Sequence, residues 1–182
     1  DEAEVVMRHA SSPRNLGRLS RKRRRLEAMG TVEYRSARTP DEVRLAAERF
    51  LVLEESGWKG RRATALLSHA GTATFTRTML RTFARNGQCR IDSLELDGRP
   101  LAMAVILQGQ GRAHSWKIAF DEAYAHYSPG VQLMIELTRR QLADPDILLT
   151  DSCAVEGDPM IERLWTDRQD IVDVAGTLPH CD

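Results

Sequence analysis

The sequence predicts an α/β (α+β) fold, a mixed central sheet with helices on both faces. Residues 91–97 alternate apolar and polar, and residues 101–107 are continuously apolar, the pattern of a hairpin whose second strand is covered on both sides. Residues 112–151 then read strand, helix, strand, a unit that makes a right-handed crossover between parallel strands and binds ligands beyond their carboxyl ends. Between the first strand and the helix lies Ser128-Pro129-Gly130. A helix start exposes N–H groups without intrahelical partners and carries about half a positive charge, so it suits an anion such as phosphate.

In chain order, the first element is a helix over residues 13–29. Leu16, Leu19 and Leu26 form its apolar stripe, Arg18, Arg21, Lys22, Arg24 and Arg25 are spread around it, and Gly30 ends it. A short strand over residues 31–36 follows. Thr39-Pro40-Asp41-Glu42 opens a second helix: Thr39 caps, Pro40 suits the first helical position, and the acids favour the positive end. Val43, Ala46, Ala47, Phe50 and Leu51 supply its buried face. Gly57-Trp58-Lys59-Gly60 breaks the pattern. A helix over residues 72–85 then places Phe75, Met79 and Phe83 at every fourth position before Asn86-Gly87 stops it. The hairpin turns at Asp97-Gly98-Arg99-Pro100, and Gly109 and Gly111 mark the next turn. Residues 112–121 form a strand, 131–142 a helix and 147–151 a strand, with Asp144-Pro145 as the breaker. A short helix near residues 159–166 and a last strand near residues 170–175 complete the pattern.

Composition bounds the partners. Lysine plus arginine number 26 and aspartate plus glutamate 26, so no global field draws the chain to nucleic acid or an anionic membrane, and electrostatic recognition has to be local. Cys89, Cys153 and Cys181 are odd in number and lack CxxC spacing, which argues against a disulfide framework and a zinc site and for a reducing, cytoplasmic setting. No apolar run has the length of a membrane span, and the start carries no signal pattern. Residues 1–30 read as a basic helical segment, the possible tail of a further domain, ahead of a domain over residues 31–182.

The segments WKG (58–60), LELDGRPLA (94–102), KIAFDEAYAHYSPG (117–130), DSCAVEGDPMIERLW (151–165) and DR (167–168) resemble the CelD-type acetyltransferases associated with cellulose biosynthesis, and the element order is similar to the Gcn5-related N-acetyltransferase (GNAT) fold. The resemblance covers about residues 20–174. It implies an acyl-CoA-dependent N-acyltransferase with acetyl-CoA or another acyl-CoA as co-substrate and an amine as acceptor. It further implies that the pantetheine arm lies between two parting parallel strands, against the backbone of Lys117, Ile118, Ala119 and Phe120. The pyrophosphate is then expected on the loop and helix start at Tyr127, Ser128, Gly130, Val131 and Gln132, with Pro129 offering no donor. The usual GNAT loop has spaced glycines, whereas HYSPG has one. A Fem-type aminoacyltransferase, which shares the fold and takes its acyl group from aminoacyl-tRNA, is the second reading, favoured by the basic run at residues 18–25. A third is a non-catalytic binding module, and a homo-oligomer fits any of them.

Direct acyl transfer needs a deprotonated amine, a stabilised oxyanion and a proton for the leaving thiolate. Asp151, at the carboxyl end of the second parallel strand, is the candidate base; alternatively it hydrogen-bonds backbone N–H groups there. Lys117, placed by alternation on one face with Ser115 and Ala119, either orients substrate or covers apolar surface with its stem. Tyr127 or Tyr124 is the candidate proton donor to the thiolate, against a plain packing role. His114 reads as a packed histidine, His126 flanks the phosphate turn with Tyr127, and Cys153 with either histidine as base is a weak nucleophile candidate. Arg23 falls between Leu19 and Leu26, so it either reaches a carboxylate or anion or lays its stem on the core. Arg168 reads as an ion-pair partner or a ligand contact.

Overall fold

A computed structural model describes residues 13–165 and 167–172. Five strands form one sheet in the order β1 (Val32–Ala37), β2 (Cys89–Leu96), β3 (Arg99–Gly109), β4 (Arg112–Phe120) and β5 (Leu149–Asp151). The first three pairings are antiparallel and β4–β5 is parallel, so the sheet is mixed as expected. The continuously apolar run of β3 has the predicted cause: Ala102, Ala104 and Ile106 join one core, and Met103 and Val105 the other.

Helices on both sides create these cores. Against one face pack α2 (Pro40–Ser56) and α4 (Ala70–Arg85), through residues such as Phe50, Leu51 and Leu80. On the other face lies α5 (Pro129–Leu142), with Leu133, Met134 and Leu137 wholly buried. The stripe of α1 (Pro13–Glu27) holds as read: Leu16 and Leu19 pack on this second core, and Leu26 is fully buried against Leu96 and Leu101. Thr39 and Glu42 form a reciprocal capping box at the start of α2, each side chain accepting the other's backbone N–H.

Four expectations change in detail. Every residue of β2 is buried, so its alternation marks two cores rather than a wet face; Arg90 and Asp92 pair with each other at 3.0 Å, and Glu95 pairs with Arg49 at 2.8 Å. Phe75 of α4 is exposed, because the helix turns Ala73, Thr76, Leu80 and Ala84 inward and leaves Met79 and Phe83 at the margin. The break after α2 is itself a helical turn, α3 (Trp58–Arg61). It doubles back so closely that a Cβ on Gly60 would lie 1.8 Å from the Glu55 carbonyl oxygen, which only glycine permits. Strict alternation in β4 also fails. Lys117 is opposite Val105 and Ser115 opposite Ile106, which leaves Trp116 as an extra residue in a bulge. Lys117 therefore shares a face with Ala119 but not with Ser115, and Trp116 packs against the first core instead of joining Ile118 and Phe120.

After β5 the described residues up to 172 are irregular apart from a short turn of helix, Ile161–Arg163, within the expected 159–166 region. Residues 170–172 form no strand, and residues 173–175 lie outside the described part.

Candidate active site

Strands β4 and β5 pair only at three positions, Arg112 with Leu149, Ala113 with Thr150 and His114 with Asp151. Beyond that short ladder they part, and a cavity of about 590 Å³ opens between them. Its walls are β4 from Ser115 to Phe120, the α2–α3 corner at Glu54, Trp58 and Lys59, and the chain after β5, including Ser152, Cys153 and Met160. The bulge at Trp116 lies where the strands separate, so the edge of β4 that β5 abandons borders the cavity. Ile118, Ala119 and Phe120 line it, as does Lys117.

The α2–α3 corner carries a charge pair that sequence reasoning missed. Glu54 is buried, and Lys59 Nζ donates to its Oε1 at 2.7 Å, while its Oε2 accepts the Leu66 N–H at 2.9 Å. The same ammonium donates to the Ile118 carbonyl at 3.3 Å, which ties α3 to the cavity edge of β4. A second clasp comes from Glu122, which accepts the Trp58 N–H and an Arg61 guanidinium N–H, each at 2.7 Å. The Arg61 hydrogen bond and then the Trp58 N–H hold its carboxyl below the ordinary 4.5. The available signal for Glu54 was an acid inside the apolar face Phe50, Leu51, Leu53, with a lysine five residues on.

At the other end of β4, the one-glycine loop finds a substitute. Ser128 adopts the left-handed conformation (φ 55°, ψ 52°) that a glycine ordinarily supplies. Its side chain makes no cap bond to α5 and instead accepts from Lys22 Nζ at 2.7 Å, so the first N–H groups of α5 are left for another acceptor. Partial burial, followed by the nearby Arg18, lowers the Lys22 pKa. Gln132 turns its amide to the Tyr127 carbonyl at 2.8 Å, and Gly130 lies against Met160, Phe120 and Ile118, bringing the helix start up to the cavity wall. Val131 is half-buried on the second core. Arg23, singled out from the sequence, turns elsewhere: it pairs with Glu27 at 2.8 Å and donates to the Val32 carbonyl. Lys22 is the helix residue that reaches the loop, and its contact with Ser128, not its charge, distinguishes it from its arginine neighbours.

Asp151 stands at the end of β5 with Oδ1 accepting the Cys153 N–H at 2.8 Å and Oδ2 3.7 Å from His114 Nδ1. Cys153 and Ser152 line the cavity, and Asp151 is set back behind them. Partial burial and then the Asp151 carboxylate raise the Cys153 thiol above its ordinary 9.0, which opposes a thiolate nucleophile. Lys117 Nζ lies 5.8 Å from the Trp116 ring centroid. Tyr124 and Tyr127 pack around Leu26 and Leu101, with His126 stacked 3.8 Å from the Tyr127 ring, away from the cavity lining. Arg168 is 3.6 Å from the Glu162 carboxylate.

A mixed sheet that splits between its parallel strands, with a cavity in the split and an open helix start beside it, defines an acyl-CoA-type transferase scaffold. The chain belongs to the acetyltransferase (GNAT) domain family, whose model matches residues 13–147. The match begins at the first residue of α1. No curated protein matches the chain. Among solved structures, a GCN5-related N-acetyltransferase from Ralstonia eutropha JMP134 superposes with a TM-score of 0.56 at 19% identity over 81% of this chain and 99% of that one. A possible acetyltransferase from Clostridium difficile 630 gives 0.56 at 11% identity over 80% and 98%. AAC(6')-Iy, in complex with the bisubstrate analogue CoA-S-monomethyl-acetylneamine, gives 0.54 at 11% identity over 81% and 100%. At these identities the likeness shows the fold. Membership of that family makes the chain an N-acetyltransferase-like enzyme, and GNAT acetyltransferases use acetyl-CoA as acyl donor.

Proposed function

We propose that the enzyme transfers an acetyl group from acetyl-CoA to an amine by direct attack on the thioester. The cavity at the parting of β4 and β5, with the uncapped start of α5 beside it, is the observation that carries this reading. The cradle fits the donor at both ends. Along the abandoned edge of β4, Ile118 and Phe120 turn backbone groups toward the amides of a pantetheine arm, while the Ala119 backbone faces Met103 in the ladder with β3. The N–H groups of Gly130 and Val131, with the Lys22 ammonium behind Ser128, suit a pyrophosphate, whereas the Gln132 N–H donates to the Ser128 carbonyl at 3.1 Å. Acetyl-CoA itself supplies the activated thioester carbonyl.

In the reaction the acceptor nitrogen bonds to the thioester carbon, the proton it sheds goes to a base, the carbon–sulfur bond breaks, and the CoA thiolate takes up a proton. Asp151 is the base we assign, at the end of β5 beside His114 and directly before the cavity-lining Ser152 and Cys153. Lys117 and the Lys59–Glu54 pair fix the polarity of the opposite wall. The CelD-type relationship is the finer assignment and rests on the segments WKG, KIAFDEAYAHYSPG and DSCAVEGDPMIERLW.

Acetyl-CoA or CoA at a hundred times its dissociation constant is expected to add about 2.7 kcal/mol of stability, seen as a rise in melting temperature. No rise with either ligand refutes the proposal and leaves a binding module of another kind. Salt-sensitive binding of tRNA, lost on neutralising the arginines of α1, is the result that points to the aminoacyltransferase reading instead.

A further inference from the structure

We propose that His114, Asp151 and Cys153 form a binding site for a divalent cation of the Zn²⁺ class at the point where the sheet splits. His114 and Asp151 are register partners across the β4–β5 ladder, so their side chains leave the sheet on the same face. The Asp151 carboxylate then holds the Cys153 N–H, which brings the thiol back over the strand end. The nitrogen, oxygen and sulfur ligand atoms of the three residues all lie within 4.8 Å of one another. His114 and Asp151 are half-buried and Cys153 is exposed, so an ion in solution has access.

The donor chemistry selects the ion. Mg²⁺ and Ca²⁺ take oxygen ligands, whereas one imidazole, one carboxylate and one thiolate suit Zn²⁺ and its neighbours, and three protein ligands leave a fourth position open. Of the three residues Cys153 lines the cavity, so the ion would border it. The same residue types also make a nucleophilic cysteine relay. A relay sets the thiol and the carboxylate against opposite edges of the imidazole, farther apart than the 4.8 Å that encloses all three groups. Convergence on one point favours an ion. The site itself stands on this geometry; its consequence, that bound Zn²⁺ occupies Asp151 and takes it out of use as a base, rests on the acetyl-transfer reading.

Equilibrium dialysis of the full chain against ZnCl₂ is expected to give one tightly held Zn²⁺, and Co²⁺ is expected to give a thiolate-to-metal charge-transfer band. Cys153→Ser abolishes the band. Cys153→Ser, His114→Ala and the gentler His114→Gln each weaken Zn²⁺ binding by at least about tenfold, the smallest loss typical even of residues one shell further out. Cys181→Ser leaves both signals in place. Binding that survives at Cys153→Ser or both His114 variants, or that disappears with Cys181→Ser, overturns the site. Far-ultraviolet circular dichroism and the metal-free acetyl-CoA melting shift, measured on each variant, separate loss of the ion site from loss of the fold. They also keep failure of this site distinct from failure of the acetyl-transfer reading.

Discussion

Lys59 serves two acceptors, the buried Glu54 carboxylate and the Ile118 carbonyl, from a helix one turn long. Removing its charge leaves a carboxylate in the protein interior with no cation. Lys59→Met is therefore expected to cost about 3–5 kcal/mol in urea unfolding, the range for breaking one side of a buried pair. The double variant with Glu54→Gln should recover part of the loss, since the amide oxygen still accepts from Leu66 N–H. Lys22 presents a different balance, because it is half-exposed and its partner is a neutral hydroxyl. Its loss should hardly move stability but should weaken CoA binding about tenfold, or 1.4 kcal/mol, and flatten the salt dependence of that binding in titration calorimetry. Neither role was legible from residue type. Lys22 sits in a run of like charges, and only the packing of α1 across the loop after β4 separates it from Arg21 and Arg23.

Among elements, α3 and the turn of helix that follows β4 are clasped by Glu122, and the clasp is pH-sensitive. Its carboxyl is lowered in the folded chain from 4.5, so its stabilising contribution is complete above that value and is lost as the pH falls through the lowered folded one. Acidification below 4.5 is thus expected to loosen Trp58, read as a tryptophan fluorescence change that Glu122→Gln shows already at neutral pH. Elements whose signal is local were readable in the sequence: the Thr39 cap, the Asp97-Gly98 hairpin turn and the doubly covered β3 all stand where the pattern puts them. The bulge at Trp116 was not, since a register shift is settled by the partner strand and leaves no mark in the composition of its own. Asp151 was placed correctly at a strand end, whereas its position behind Cys153 depends on the turn that follows.

For the molecule as a whole, rigidity is concentrated in the middle of the sheet. β2 and β3 are paired on both sides and roofed by helices, while β5 is three residues long and paired on one side. Hydrogen exchange is expected to be slowest in β2 and β3 and fastest in β5, and uniform protection across the sheet refutes this. Acetyl-CoA should slow exchange most at the cavity edge of β4. The order of elements was visible from alternation and turn residues, and the GNAT family from that order together with the resemblance carried by segments such as KIAFDEAYAHYSPG. The closing of α3 and of residues 152–161 around the cavity was not, nor the reach of Lys22 to the loop after β4, because those contacts join segments far apart in sequence.

The short ladder between β4 and β5 is in mechanical terms the apex of a wedge. Whatever enters the cavity pushes on two arms held together by three residue pairs, and His114 and Asp151 are the pair nearest the opening. Their separation of 3.7 Å from Nδ1 to Oδ2 is accordingly a gauge of how far the arms are spread. A donor that lodges deeply is expected to act on this gauge with the long arm of β4 as its lever, so that the spacing of Asp151 and His114 answers to the cargo as well as to the fold.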